Sequence, residues 1–597
     1  MDFVSDMRES KNCVSKSLNS LHGQGKLMKE SAITRLMILP HFVAAVYLLH
    51  TAVPVLGDET DLIPTQTVES SLALEIHVLV DGEWKHCGET PGPVFVPECE
   101  KRRFVLTDLD IETSDDYAIE LQRLQVKSVQ LPTHTDDTLL HQCLEIQLLQ
   151  QLDSLYIADC ENLRDATPLE QLTNLRSLTI SNCDILTRIP INNRHRDRKT
   201  LNLGQCEKLH TLSIANLPLV THIELRGCAQ LKGVTLSELP RLKHIDLGLC
   251  ELLTSISFSE LPELASLELN SCEKLTDISM LVDFPTISHL NLSGCRSISD
   301  FSPIARLQNL TWLSLKFCDS LTDVSLMNRP CLTELWLNNC ENLRSVSLVS
   351  LENLARLEMS SCNKMTDVSL AELPSLETVD SGWCENLTSV TLERLTNLRE
   401  LQMNNCESLV ALSFEGPMSL ELLSLSSCGK LSDLSSLSKV ETLELLHLAS
   451  CESIADLSPL TNLTNLTELW LDQCTQVSDF SPLAGLTKME SLSMVGCVQF
   501  ADVSALTNMT HITKLYLHDS EKLTDLSPLS GLVNLEELSL RRCDNIKDVS
   551  PLAELIKLQI LGLWGCDNID LKSLGNLQER LPDCYFSHHA YTPPQSE

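Results

Sequence analysis

Residues 337–362 read "LNNCENLRSVSLVSLENLARLEMSSC". One leucine-rich run closes at Cys340 and a second at Cys362, 22 residues later. A thiol that returns at a fixed interval, in the same apolar setting, is half of a disulfide scaffold, a metal ligand, or a structural mark in a repeat. The rest of the chain decides among these. Cysteine recurs at 16 positions from Cys160 to Cys497, every step 22 or 23 residues, passes through Ser520, and resumes at Cys543 and Cys566. That makes 19 repeats, 18 of them with cysteine, and leaves Cys13, Cys87, Cys99, Cys143, Cys331 and Cys584 outside the series. Zinc sites need clustered Cys or His spacings, which are absent. Disulfides would need one Cβ geometry repeated up the stack, and Ser520 keeps the phase without a thiol. The spacing therefore points to a buried structural thiol, and so many unpaired thiols suggest a reducing compartment.

Counting back from Cys272, leucines stand at minus 8, minus 5 and minus 3 (Leu264, Leu267, Leu269), and counting forward Leu275 and Ile278 follow at plus 3 and plus 6. The unit L-x-x-L-x-L-x-x-C-x-x-L-x-D-x-S resembles the leucine-rich repeat, with cysteine where asparagine is more usual, over residues 152–570. Its L-x-L core reads as a short strand with both leucines inward and the middle residue outward. Strands stacked about 4.8 Å apart make one parallel concave sheet, on the order of 90 Å of arc for the whole array. The expected fold is an α/β repeat solenoid, a leucine-rich-repeat horseshoe. The short remainder of each unit predicts 3₁₀ turns and extended segments on the convex side.

Ser-Pro at 302–303, 458–459, 481–482, 527–528 and 550–551, with Thr167-Pro168 as a variant, marks the start of such turns. Serine is expected at the N-cap and proline at the first turn position. Aspartate two residues earlier (Asp300, Asp456, Asp479, Asp525, Asp548) is expected to bond turn amides. This D-x-S-P-L segment resembles the internalin type of repeat. One unit departs from the pattern: "NNRHRDRK" at 192–199 puts Arg198 at the minus-8 leucine position, which predicts a looped-out convex segment with a basic stretch at 194–199.

The chain has 597 residues, 45 basic against 81 acidic, a net charge of −36. Such a surface repels phosphate, and 4% aromatic content is poor in stacking platforms, so no nucleic-acid partner is expected. The chain falls into four parts: an N-terminal segment 1–69, a β-rich cap 70–150, the solenoid 151–570, and a C-terminal cap and tail 571–597. In the first part, 36–56 "LMILPHFVAAVYLLHTAVPVL" is the longest apolar run, interrupted by Pro40 and Pro54. It reads as a packed or partner-binding helix, with a signal or membrane segment and an F-box-like helix as alternatives. Alternation at Leu72, Leu74, Ile76, Val78 and Val80, then Asp81-Gly82, reads as a hairpin, 102–111 as a further strand, and "RLPDCYF" as a closing strand.

No phosphate-loop, nucleophile-elbow or zinc-protease motif is present. What remains is the outward face of the strands. His222 and Glu224 lie two apart on one strand and His244 and Asp246 repeat the pair on the next, with Glu268 and His289 following. Tyr156, Trp336, Glu358, Asp380, His447, Trp470 and Tyr516 occupy the outward middle position of other repeats. Side chains standing parallel on an open sheet do not converge on a metal, so a protein-binding surface with no cofactor or metal is expected. Exposed Trp and Tyr are its best candidates for hot spots. The core "C-x-x-L-T-D-[VIL]-S" at Cys272, Cys318 and Cys362 resembles trypanosome leucine-rich-repeat proteins of the expression-site-associated, adenylate cyclase regulator type. That resemblance implies a non-catalytic regulator that binds another protein. The relatives' N-terminal zinc module has no counterpart in the spacing of Cys13, Cys87, Cys99 and Cys143. The competing reading is an F-box-like substrate receptor of a ubiquitin ligase. The expected location is intracellular, cytoplasmic, with a membrane-associated or secretory alternative through 36–56.

Overall fold

A computed structural model describes residues 65–70, 74–80, 83–89, 92–97, 102–106, 126–145, 149–189 and 197–588. The chain divides into two units, Met1–Pro64 and Thr65–Glu597, and the repeats belong to the second. The apolar stretch 36–56 and half of the basic stretch, 194–196, lie outside the described residues.

Each repeat contributes a strand of three to five residues, for example Arg356–Glu358, with its leucine buried and its flanking side chains outward. Every such strand pairs in parallel and in register with the next: Ile223 faces Ile245, which faces Leu267, which faces Leu290. The ladder begins at Arg102–Leu106, which is antiparallel to Leu74–Val80 and parallel to Ser128–Gln130, and ends at Tyr585–Ser587. Leu74–Val80 in turn forms the expected hairpin with Glu83–Glu89. The protein is thus an α/β repeat solenoid of the leucine-rich-repeat horseshoe type. Its core is one continuous column of leucine, isoleucine and cysteine, nearly all with no exposed surface. Each fully buried leucine contributes about 1.5–3 kcal/mol of transfer energy. A helix covers the convex side at each end, Asp137–Glu145 and Leu571–Arg580, burying Leu140 and Leu577 among others.

The convex side follows the length of the step. In the 23-residue steps whose convex side is described it holds 3₁₀ turns, such as Ser302–Arg306 and Ser481–Gly485. In the 22-residue steps it holds five-residue strands. These strands pair into two further parallel sheets. One has three strands, Thr211–Ala215, Gly233–Ser237 and Ser255–Ser259. The other has five, from Asp323–Met327 to Ala411–Glu415. The cause is the spacing of two buried residues. After Cys340 they are Val346 and Leu348, two apart, which suits the strand period of 2. After Cys474 they are Phe480 and Leu483, three apart, which suits a 3₁₀ turn with three residues per turn. Extended segments were expected here; their joining into sheets was not.

The turn starts also differ from expectation. Serine is not the N-cap: the residue before it, such as Phe301, holds that place without a side-chain cap. Aspartate caps instead, with Asp300, Asp479 and Asp548 Oδ1 each accepting the N–H of the serine two residues on at 2.9 Å. The serine hydroxyl turns back onto the same carboxylate, as Ser550 Oγ does to Asp548 at 2.9 Å. Hydrogen bonds from Ser302 to Asp300, and from Ser481 to Asp479, hold those carboxyls below their usual range. In the irregular unit, Arg198 fills the leucine position with no exposed surface, and burial brings its guanidinium down to about 10.

Candidate functional site

The repeat thiol sits where the chain leaves the concave strand, and its geometry explains its recurrence. Cys228 Sγ donates to Leu203 O of the preceding repeat at 3.2 Å, and Cys250, Cys272 and Cys295 donate to Leu225, Leu247 and Leu269 at 3.3, 3.2 and 3.1 Å. The pattern runs on to Cys566, which donates to Leu540 O at 2.8 Å. These thiols tie each repeat to its neighbour through a carbonyl that the short strand leaves under-used. All are free. Burial pushes the thiols of Cys250 and Cys451 up to about 12, so they remain protonated donors and poor nucleophiles.

Immediately before each thiol the backbone turns left-handed. The residue preceding the repeat cysteine, or Ser520, has φ of 52–63° where it is not glycine, and 68–81° at Gly227, Gly294, Gly496 and Gly565. Most occupants are small or polar, which tolerate this region. Leu249, Phe317 and Trp383 are not, and their side chains are 40%, 44% and 46% exposed. They sit at one rim of the concave sheet, three repeats apart.

The concave face presents three outward positions per strand, at minus 6, minus 4 and minus 2 from the cysteine. Register aligns them into columns, and all the candidate residues named from the sequence lie there. His222 stacks obliquely against His244 with ring centroids 5.8 Å apart, and His244 Nδ1 lies 3.0 Å from Ser266 Oγ. Glu224 accepts from Asn202, and Asp246 Oδ1 accepts the Gly248 N–H at 2.7 Å. Gly248 leaves room for Arg226 Nη1 to donate to Asn270 Oδ1 at 3.2 Å; a Cβ would come within 2.6 Å and 2.4 Å of those two atoms and displace their side chains. Glu268 takes His289 Nε2 at 2.8 Å and Asn291 Nδ2 at 2.7 Å. Burial raises its carboxyl, but those two bonds outweigh burial and leave it below the usual range.

His289 also lies flat on Trp312, centroids 4.1 Å apart and planes 6° from parallel. Sequence reading named His222, His244 and His289 in the minus-6 column but missed Trp312. It stands at minus 6, in line with His289 one strand earlier, and scanning that column would have found it. Trp336 is engaged on all sides: Lys316 Nζ lies 3.9 Å from its ring centroid, Arg356 5.9 Å, and its indole N–H donates to Glu334 at 3.1 Å. Glu358 and Asp380 are in register on adjacent strands. Burial, and for Glu358 also the neighbouring Asp380 charge, pushes both carboxyls above their usual range.

Seven repeats beyond Trp312 the stack recurs. His447 lies on Trp470 with centroids 3.9 Å apart and planes 12° from parallel, and its Nε2 is 3.1 Å from Glu468 Oε1. Tyr516 donates its hydroxyl to Glu537 Oε2 at 2.9 Å, and burial, then Glu537, raises that phenol to about 12. Tyr156 stands partly exposed on the strand Ser154–Ala158, remote from these groups in register. Among the described residues no three His, Cys, Asp or Glu side chains group to hold a metal, and no helix is long and apolar enough to cross a membrane.

Comparison with known proteins agrees with this backbone. The plant disease resistance protein RPS2-like leucine-rich-repeat family matches residues 120–273. The BspA-type leucine-rich-repeat region matches 223–340 and 334–432, and the two-copy leucine-rich-repeat family matches 441–485. No curated protein matches the chain. Among solved structures, internalin C2 of Listeria monocytogenes is similar at 28% identity, over 37% of this chain and 81% of that one, with a TM-score of 0.24. An internalin (inlF) of the same organism is 21% identical over 60% and 87%, TM-score 0.25. A leucine-rich-repeat protein of Leptospira interrogans is 15% identical over 71% and 99%, TM-score 0.34. With repeats matched from 120 to 485 and every strand in register along the array, the chain is a leucine-rich-repeat protein.

Proposed function

We propose that the protein is a non-catalytic scaffold or regulator that binds another protein on its concave face. The observation that carries this reading is the pair of His–Trp stacks, at 289/312 and 447/470, each fixed by a carboxylate and separated by the raised carboxyls of Glu358 and Asp380. Rigid aromatic groups with a polar surround are what binding hot spots are made of. The raised carboxyls represent electrostatic stress that a cationic partner relieves. The net charge of −36 favours a basic protein surface over nucleic acid. The resemblance to trypanosome regulators makes a signalling enzyme such as adenylate cyclase the first partner to test. The F-box-like alternative rests on 36–56, outside the described residues, and on the cysteine in each repeat; repeats of that type carry a convex helix, whereas the described convex segments of the repeats here are strands and 3₁₀ turns. A cytoplasmic location is the companion proposal, supported by the free thiols.

The test is titration of the full chain with an adenylate cyclase catalytic domain. Trp336→Ala and Trp470→Ala should each weaken binding by about 1–3 kcal/mol as hot-spot truncations. A convex change such as Asp479→Lys should leave it unchanged, and a larger loss from that variant would reverse the assignment of the binding face.

A further inference from the structure

Resting on that reading of the concave face, we infer that Trp470 and Tyr516 form a slot across Ser493 that receives an arginine side chain of the partner polypeptide. The three residues are in register on consecutive strands. The rings therefore rise from positions two strand spacings apart, about 9.5 Å. The orientation of Trp470 is set by His447, one strand earlier. Because the two rings lie face to face at 3.9 Å, the indole plane stands across the run of repeats. Its second face looks along that run, over Ser493, toward Tyr516. Ser493 is small, 7% exposed, and turned down onto Asp472 Oδ1, so it forms a floor rather than a plug. Tyr516 forms the far wall, held by its hydroxyl bond to Glu537.

A flat group between two rings needs stacking distance on each side. The His447–Trp470 spacing of 3.9 Å is the local measure of that distance. Two such spacings fit within about 9.5 Å, so the gap admits one flat group, and the charge around it decides which. The charge of the surround selects a cation: Glu468 is aligned with Ser491 in the column beside the slot, Asp472 accepts from Ser493, and Glu537 accepts from Tyr516. Glu537 and Glu468 both help to raise the Tyr516 phenol. Lys514, in the neighbouring column, is aligned with Glu537 and offsets part of this charge.

A guanidinium fits better than an ammonium. It is planar, weakly hydrated, stacks on aromatic faces, and presents a fork of N–H donors to carboxylates. The chain shows the same chemistry internally at Trp336, where Lys316 and Arg356 lie over the ring. Among the described residues no cation lies over the Trp470 ring, and the slot takes one from the partner.

The experiment uses the full chain labelled with 5-fluorotryptophan, with the Trp470 signal assigned by Trp470→Phe. Three blocked tripeptides are titrated: acetyl-Gly-Arg-Gly-amide and its lysine and citrulline counterparts. The arginine peptide should shift the Trp470 signal, and citrulline, equally flat but uncharged, should bind about tenfold more weakly. Ser493→Leu, which fills the floor, should abolish the response, while the convex variant Asp479→Lys leaves it unchanged; retained cooperative unfolding shows that Ser493→Leu still folds. Glu537→Gln should reduce the preference for arginine over citrulline. Equal binding of citrulline, or an intact response in Ser493→Leu, overturns the slot. If the peptides fail while Trp336→Ala still weakens the cyclase domain, the slot is refuted and the concave-face reading stands. If the slot binds arginine but no concave variant affects the protein partner, the functional reading falls and the slot remains.

Discussion

Ser520 offers a direct measure of what the thiol ladder contributes. It occupies the cysteine position of its repeat with no exposed surface, and its Oγ has no hydrogen-bond partner. The neighbours show what is missing: Cys497 reaches Leu471 O at 3.1 Å and Cys543 reaches Leu517 O at 3.3 Å. The Cβ–O bond is shorter than Cβ–S, so the hydroxyl falls short of the carbonyl of the preceding repeat. A buried hydroxyl without a partner costs about 1–3 kcal/mol. Ser520→Cys restores the weak S–H donor and adds apolar volume, so it should stabilise by about 1–2 kcal/mol. Because each repeat contacts only its neighbours, the gain should be local. Native-state hydrogen exchange should slow for amides of 497–543 by about tenfold, with little change at 228–340. Ser520→Ala is the control and should itself stabilise by about 1 kcal/mol, since it removes the orphan hydroxyl. If Ser520→Cys exchanges faster than the parent, or Ser520→Ala loses more than about 1 kcal/mol, the hydroxyl is satisfied and the ladder argument is wrong.

Trp383→Asn should relieve the left-handed strain at φ 62° and raise stability by about 1 kcal/mol, read by denaturant midpoint, while weakening the partner if that rim is used. Asp380→Asn should also stabilise, because the carboxyl is raised by burial and asparagine keeps the acceptor for the Gly382 N–H at 2.9 Å. For the parent, the raised carboxyls of Glu358 and Asp380 bind protons more readily folded than unfolded, so their contribution falls as pH rises from the unfolded carboxylate value through the folded one. Thermal scans at stepped pH should show that slope flattened in Asp380→Asn. The capping aspartates such as Asp300 are depressed and act in the opposite sense, their contribution being lost as pH falls through their folded values. Deleting Ser436 changes the buried spacing of Leu434 and Leu437 from three to two, and should convert the turn Ser435–Lys439 into a strand that extends the sheet ending at Ala411–Glu415. A crystal structure in which the concave register slips instead would refute the spacing rule.

The repeat, the concave sheet and the outward positions of all 13 candidate residues were legible because each depends on a fixed offset from the cysteine. Parallel register carries that offset unchanged from strand to strand. The convex alternation was equally present in the sequence, as a buried spacing of two after Cys340 and three after Cys474, and only needed the step lengths to be sorted. What the sequence could not show is contact across strands. His447 and Trp470 are 23 residues apart and adjacent by register, but their face-to-face stacking depends on rotamers set by Glu468 and Ser424. The occupation of Trp336 by Lys316 and Arg356, against the differently flanked Trp470, likewise follows from which neighbouring columns hold cations. Periodicity determined where each side chain emerges. Only packing along the solenoid decided which rings stack, which carboxyls are stressed, and that a serine at 520 leaves a hydroxyl without a partner, because those are properties of three neighbouring repeats at once.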